Sequence, residues 1–410
     1  MFAIMRLQDY SHANSLAGPQ SSQEVRPMKT IGQSLFRVVL AAAAMVLVAA
    51  SAQRVLADGA ANNFTQINLV SDIPGLAVTT DPNLVNPWGV SFSSGSPFWV
   101  SDNGTGLATL YNGAGVKQQL EVAIPDIGGG TSAPTGQVFN PNSANFGGSH
   151  FIFATEGGTI ASWSGGTTAA LSYPSAGGVY KGLAMASNSQ GTFLYATDFR
   201  NGTIDVLDSN FAKVTLSGSF TDPSLPAGYA PFNIQNIGGK LYVTYAVQDA
   251  AKHDDVSGPG NGIVDVFDTN GNFIQRLISN GSSLNSPWGM AIAPTGFGSF
   301  GGDLLVGNFG DGTINAFDPS TGNFLGQLDG ANGMPLINLG LWDLTFGNGG
   351  NGGSTSDLYF TAGIPGPDAV EDHGLFGSIA PTPEPGTLML IGSGLLGLIA
   401  YRRRRTDSTA

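Results

Sequence analysis

Between residues 58 and 380 the apolar positions come in short runs, mostly four to seven residues, set apart by clusters of Gly, Asn, Asp and Ser. No run in this body sustains a 3.6-residue repeat, so the pattern predicts strands and turns instead of helices. Laid in register, the runs repeat. Each copy opens with a small-residue turn that leads into an apolar strand: Pro87-Trp88-Gly89-Val90, Pro134-Thr135-Gly136-Gln137, Lys181-Gly182-Leu183, Pro231-Phe232-Asn233-Ile234, Pro287-Trp288-Gly289-Met290 and Leu341-Trp342-Asp343-Leu344. The third position recurs at steps of 47, 46, 51, 56 and 54 residues, which makes six copies. A second strand follows, as in Phe98-Trp99-Val100-Ser101-Asp102 and Leu304-Leu305-Val306-Gly307-Asn308. A third often begins with Gly-Thr-Ile and closes on an Asp-led turn at Asp208, Asp268 or Asp318, where the carboxylate can cap the reversal. Four short antiparallel strands in six copies predict an all-β fold, a six-bladed β-propeller of four-stranded antiparallel blades. The sixth copy supplies three strands, and a spare run, Phe64 to Leu69, precedes the first copy. That N-terminal strand is expected to close the last blade as its outer strand, which removes two exposed edges.

The chain ends read differently. Arg26, Lys29 and Arg37 precede an apolar stretch from Val38 to Ala50, with small residues after it, the layout of a secretory signal peptide. Cleavage is expected after Val55-Leu56-Ala57, with Ala50-Ser51-Ala52 as the alternative, and Met28 opens a more conventional signal than Met1 does. At the other end Pro383-Glu384-Pro385 is followed by an apolar run, Leu388 to Ala400, and by Arg402-Arg403-Arg404-Arg405. Fourteen residues from Leu388 to Tyr401 would make a helix of about 21 Å, short of a hydrocarbon core of about 30 Å. Such a segment suits transient insertion better than a permanent span, with the arginines left on the cytoplasmic side. The order of motif, apolar run and basic cluster resembles the PEP-CTERM sorting signal of Gram-negative bacteria. The resemblance implies export, processing by an exosortase-type membrane protease, transient inner-membrane insertion, and delivery to the cell surface or extracellular matrix. The expected division is a signal region over 1–57, a propeller over 58–380 and a sorting tail over 381–410.

The repeat lacks the Gly-His and Trp-Asp signature of WD40 propellers. Its Pro-Trp-Gly strand openings resemble those of NHL-type six-bladed propellers. The stretch Lys252-His253-Asp254-Asp255-Val256-Ser257-Gly258-Pro259-Gly260-Asn261-Gly262 is similar to a segment of a PEP-CTERM-bearing propeller family. That likeness implies placement and fold, and no reaction.

Charge narrows the partners. Residues 58–380 hold 25 Asp and Glu against 7 Lys and Arg, a net charge of −18. Binding to nucleic acid needs basic residues to neutralise phosphates, so nucleic acid is excluded as a partner, and anionic lipid is disfavoured. An extracellular polysaccharide, a surface protein or a divalent cation fits better. Cysteine is absent, which excludes disulfides and thiolate metal sites.

In an up-and-down blade the loops joining second to third strands share a face with the turns that open the inner strands. That face gathers Asp102, Glu156, Asp198, the segment 248–261 and the segment 365–373. Its two longest loops carry His253-Asp254-Asp255 and Glu371-Asp372-His373, in blades expected about 120° apart. These residues admit three readings: solvated turn formers, ligands of a hard cation such as Ca²⁺, or an acid/base pair. Asp102, Glu156 and Asp198 either finish strands or begin an acidic ring like the cation sites of propeller lactonases. Thr244 and Asn308 interrupt any such ring. Trp88, Trp288 and Trp342 are expected to pack between neighbouring blades, or else to form a platform for sugar rings. The best-supported function is an exported surface or matrix-associated binding module; the alternative is a divalent-metal-dependent hydrolase or lactonase.

Overall fold

The computed structural model describes residues 63–382 apart from residues 176 and 368. Six antiparallel sheets surround one axis, and each of the first five runs in chain order from an inner strand to an outer one. The inner strands, Pro87–Ser91, Pro134–Phe139, Tyr180–Asn188, Tyr229–Ile237, Pro287–Ile292 and Leu341–Phe346, begin within or just before the repeated motif. The helical residues among those described are two 3₁₀ turns, Phe146–Gly148 and Gly298–Phe300.

The ring closes as the spare strand predicts. Asn63–Ser71 lies antiparallel on Leu375–Pro381, with Phe64 opposite Pro381 and Ser71 opposite Leu375. Phe64 is buried against Phe297 and Phe300, at ring distances of 4.9 and 6.1 Å, so closure is fastened by apolar packing as well as by the ladder. Two short parallel additions, Thr79–Thr80 and Asp329–Gly330, cover part of the outer edge of this strand and leave less of it free to pair with another chain.

Close approach of the inner strands explains the third motif position. A Cβ on Gly89 would stand 2.6 Å from the Thr135 carbonyl oxygen, and one on Gly289 would stand 2.5 Å from that of Trp342. Glycine therefore lets adjacent inner strands meet. Where the residue is larger, its side chain spans the junction instead. Asn233 Nδ2 donates to the Trp288 carbonyl at 2.8 Å, and Asp343 Oδ2 accepts from the Val90 N–H at 2.7 Å. Burial pushes the Asp343 carboxyl up to about 7, although the N–H groups of Val90 and Leu344 pull the other way.

Within blade four, Asp265 is buried and neither carboxyl oxygen has a hydrogen-bond partner. Arg276 commits its guanidinium to Asp222 and leaves only its Nε, 3.5 Å away, near Asp265. In blade three the matching Asp205 is satisfied by the Tyr180 hydroxyl at 2.8 Å and Lys213 Nζ at 2.7 Å. Burial, reinforced by the Asp222 charge and opposed by Arg276, pushes Asp265 up to about 8. A carboxyl whose folded pKa lies above its unfolded value favours the fold most at low pH, and that contribution is lost as the pH rises. The stability difference between Asp265→Asn and the wild type should therefore shift toward the variant from about pH 4 to about pH 8. Urea midpoints measured across that range check this, and parallel profiles would contradict it.

Candidate functional site

The second residue of each motif turns to the axis. Every inner strand carries a register shift there, between Pro87 and Val90 in blade one and between Pro287 and Met290 in blade five, for example. A bulge of this kind takes a side chain out of the two-faced alternation and re-aims it. Trp88 and Trp342 stack at 3.4 Å between ring centroids, and Trp288 meets both edge-on at 6.0 and 5.8 Å. Phe232 lies 5.8 Å from Trp342. Phe199 and Phe309 complete the group, at 5.2 Å from Phe232 and 4.2 Å from Trp342. Two of these contacts, Trp88 with Trp288 and Phe232 with Trp342, join blades that are not neighbours, so the group meets at the axis and plugs the channel. The expected packing between adjacent blades holds for Trp88 and Trp288 on Trp342 and extends across the axis, whereas the open sugar platform does not form, since all three rings are buried.

Lys181 occupies the same motif position in blade three and is 1% exposed. Its Nζ stands 5.0 Å from the centre of the Trp88 ring, ion-pairs with Glu156 and reaches Asp254 Oδ1 at 3.2 Å. Burial works against its charge, yet the two carboxylates more than compensate and the ammonium pKa is raised. Around it the polar loops converge. Asn103 Nδ2 donates to Glu156 Oε2 at 3.0 Å, and His253 Nδ1 lies 2.9 Å from Asp254 Oδ1. Asn86 Nδ2 donates to Glu371 Oε1 at 2.9 Å while its Oδ1 accepts from Trp342 Nε1 at 3.1 Å. Burial, and then the nearby Glu156 and Asp254 charges, push Glu371 up to about 7 against Asn86 and Lys181. Asn86, Lys252 and Glu371 all adopt left-handed backbone, at φ 45°, 55° and 81°, a conformation that non-glycine residues reach only when their surroundings impose it.

The structure thus brings Glu156, His253, Asp254 and Glu371 together at the mouth and places the remaining candidates elsewhere. Asp102 is buried inside blade one, where Thr109 donates to it at 2.7 Å, and burial raises its pKa well above the usual carboxylate range. Asp198 caps its own turn, accepting from Asn201 Nδ2 at 2.7 Å. Asp255 accepts from Ser257 at 3.0 Å, and Asp372 from the Ala369 N–H at 2.8 Å. His373 points away from the channel, its Nδ1 2.6 Å from Asp72 just beyond the closing strand. Lys181 was not among the sequence candidates; the signal was a lone charged residue where the other copies have Trp, Thr or Phe.

Below the plug, on the face of the glycine-rich loops, the channel opens into a cavity of about 380 Å³. The later residues of the inner strands line it, among them Gln137, Met185, Gln235 and Thr345, with Trp288 and Asp343 deeper in.

Residues 381–405 match the PEP-CTERM protein-sorting motif. Two proteins of Acanthamoeba polyphaga mimivirus share much of the chain. Uncharacterized protein R648 is 35% identical over 67% of this chain and 71% of its own length, and uncharacterized protein L690 is 34% identical over 76% and 84%. The chain belongs to their family. Among solved structures, a glucose dehydrogenase matches with a TM-score of 0.49 and 13% identity, covering 78% of this chain and 100% of its own. A streptogramin B lyase matches with 0.44 and 15%, over 78% and 98%.

This member of the family carries a sorting motif that implies export and exosortase-type processing of a membrane-anchored precursor. Pro383, Glu384, Pro385, the apolar run 388–400 and Arg402, Arg403, Arg404 and Arg405 lie outside the described residues, as does the expected signal region 1–57. Among the described residues no helix is long and apolar enough to cross a membrane.

Proposed function

We propose that this exported propeller works at the cell surface or in the extracellular matrix as a binding module, with a polysaccharide or a surface protein as its partner. An exosortase-type protease acts on the precursor while the tail 381–410 is transiently inserted, and the propeller of residues 58–380 is the part released to function. The observation that carries this reading is the position of Lys181. Glu156, His253 and Asp254 present ligand atoms within 4.8 Å of one another, the arrangement a metal-dependent hydrolase would need. Lys181 Nζ already bonds two of those three, and Asn103 takes the other Glu156 oxygen. A Ca²⁺ ion asks for six to eight oxygen ligands, and here it would also stand against an ammonium. The residues present fit such an ion poorly. Bridged internally by Lys181, the cluster instead fastens the loops of blades four and six over the plug.

On this reading, binding to a glycan array or to isolated matrix survives EDTA, and added Ca²⁺ leaves the melting temperature in place. A melting temperature that climbs with Ca²⁺, together with binding abolished by EDTA, would favour the metal-dependent alternative.

A further inference from the structure

We propose that the open end of the channel, on the face opposite the charged loops, binds the terminal one or two units of a neutral glycan. This inference rests on the binding-module reading and gives it a site and a ligand class.

The volume of about 380 Å³ falls in the range of small-molecule sites, about 300–1,000 Å³. All six inner strands of the ring contribute to its walls, so the site is held by regular sheet instead of loops. Its lining alternates two kinds of surface. Phe92, Phe139, Met185 and Trp288 present apolar area, while Gln137, Asn233, Gln235 and Thr345 present amides and a hydroxyl. A sugar ring has the matching character, with C–H faces for the aromatic and thioether groups and hydroxyls for the amides.

Two buried atoms sharpen the match. Gln235 Oε1, an acceptor, and Trp288 Nε1, a donor, are both buried without a hydrogen-bond partner. Most polar groups around them are committed: Asn233 Nδ2 to the Trp288 carbonyl, Asn236 Nδ2 to the Met185 carbonyl, and Gln137 Nε2 to the Gly89 carbonyl. A buried polar group left without a partner is costly and uncommon. A hydroxyl donates and accepts at once, so one kind of ligand group answers both once the side chains covering them shift, since neither atom is open to the cavity in the free protein.

Charge sets the class. Asp343 is the one titratable residue in the lining, and no Lys, Arg or His contributes. Anionic sugars would find no counter-ion there and would approach a body of net charge −18. Opposite the cavity, the plug of Trp88, Trp288 and Trp342 shuts the channel, so a chain cannot thread through and only an end can be held.

Methyl spectra of the propeller labelled at its methionines test this. Met185 lines the cavity, Met290 is buried in the core and Met334 is exposed on a surface turn. Maltose, cellobiose and lactose are titrated singly, with glucuronic acid as the charged control. At least one neutral disaccharide should move the Met185 resonance and leave Met290 and Met334 in place, and glucuronic acid should move none. Gln235→Leu should weaken that response at least tenfold, and Thr345→Trp should abolish it with the Met290 resonance intact. Silence at Met185 for all three sugars, or an unchanged response in both variants, overturns the proposal. If matrix binding nonetheless persists in Thr345→Trp, the cavity assignment fails while the binding-module reading stands; loss of all matrix binding in the wild type fails the latter.

Discussion

Trp342→Ala should lower the free energy of unfolding by about 3–5 kcal/mol, the range for removing a large buried aromatic. Trp342 is the hub of the plug, in contact with Trp88, Trp288, Phe232 and Phe309. Its side chains come from four blades, so the gap left by alanine cannot be filled by moving one sheet. The substitution also frees Asn86 Oδ1, the acceptor for Trp342 Nε1, and so loosens the residue that holds Glu371. Trp342→Phe keeps the ring contacts in part and should cost clearly less. Urea unfolding with an unchanged m-value reads the loss; a cost below about 1 kcal/mol would mean the plug is loosely packed.

Lys181→Met should cost a similar amount, about 3–5 kcal/mol, because one partner of a buried ion pair is removed and the other stays. Methionine keeps the apolar stem over Trp88 and deletes the ammonium. Glu156, Asp254 and Glu371 then face one another with no cation between them. Glu371 already has a pKa raised to about 7 by burial and by those neighbours, and losing Lys181 pushes it further in that direction. A carboxyl with a raised folded pKa favours the fold below its unfolded value, so the penalty should be larger at pH 8 than at pH 5. Adding Glu156→Gln removes the stranded charge that Lys181 pairs with most closely and should recover a large share, since contacting residues are not additive. Equal penalties at the two pH values, with no recovery in the double variant, would show that Lys181 is held by packing alone.

The blades were legible because their punctuation is steric. Glycine at positions 89, 136, 182 and 289 is demanded by the approach of the next inner strand, and the Asp-led turns at 208, 268 and 318 cap themselves with their own carboxylates. The closing strand could be inferred by counting, because one blade lacked a strand and one strand lacked a blade. The plug was harder to see. A period of two says which face of a sheet a residue takes, and a bulge breaks that rule at Trp88, Lys181 and Trp342. The approach of Glu156, His253, Asp254 and Glu371 was legible, since charged loops on one face imply convergence, but Lys181 between them was not. Which carboxylate of Glu371-Asp372-His373 turns inward depends on the left-handed backbone at Glu371, and no spacing encodes that. The cavity left no mark at all: Gln137, Gln235 and Thr345 are separate polar positions on three strands, joined only once the ring has closed.

Thiol labelling tests most directly whether the channel is shut at one face and open at the other. The chain has no cysteine, so single replacements report without background. Thr345→Cys places a thiol in the cavity, and Thr135→Cys places one in the plug layer, where Thr135 is fully buried and bonded to the Tyr180 carbonyl. A small methanethiosulfonate reagent should modify the first in the native protein and the second only once the fold is melted by urea. Native Thr135→Cys reacting as fast as Thr345→Cys would mean an unobstructed channel, and the account of a one-ended site would be wrong.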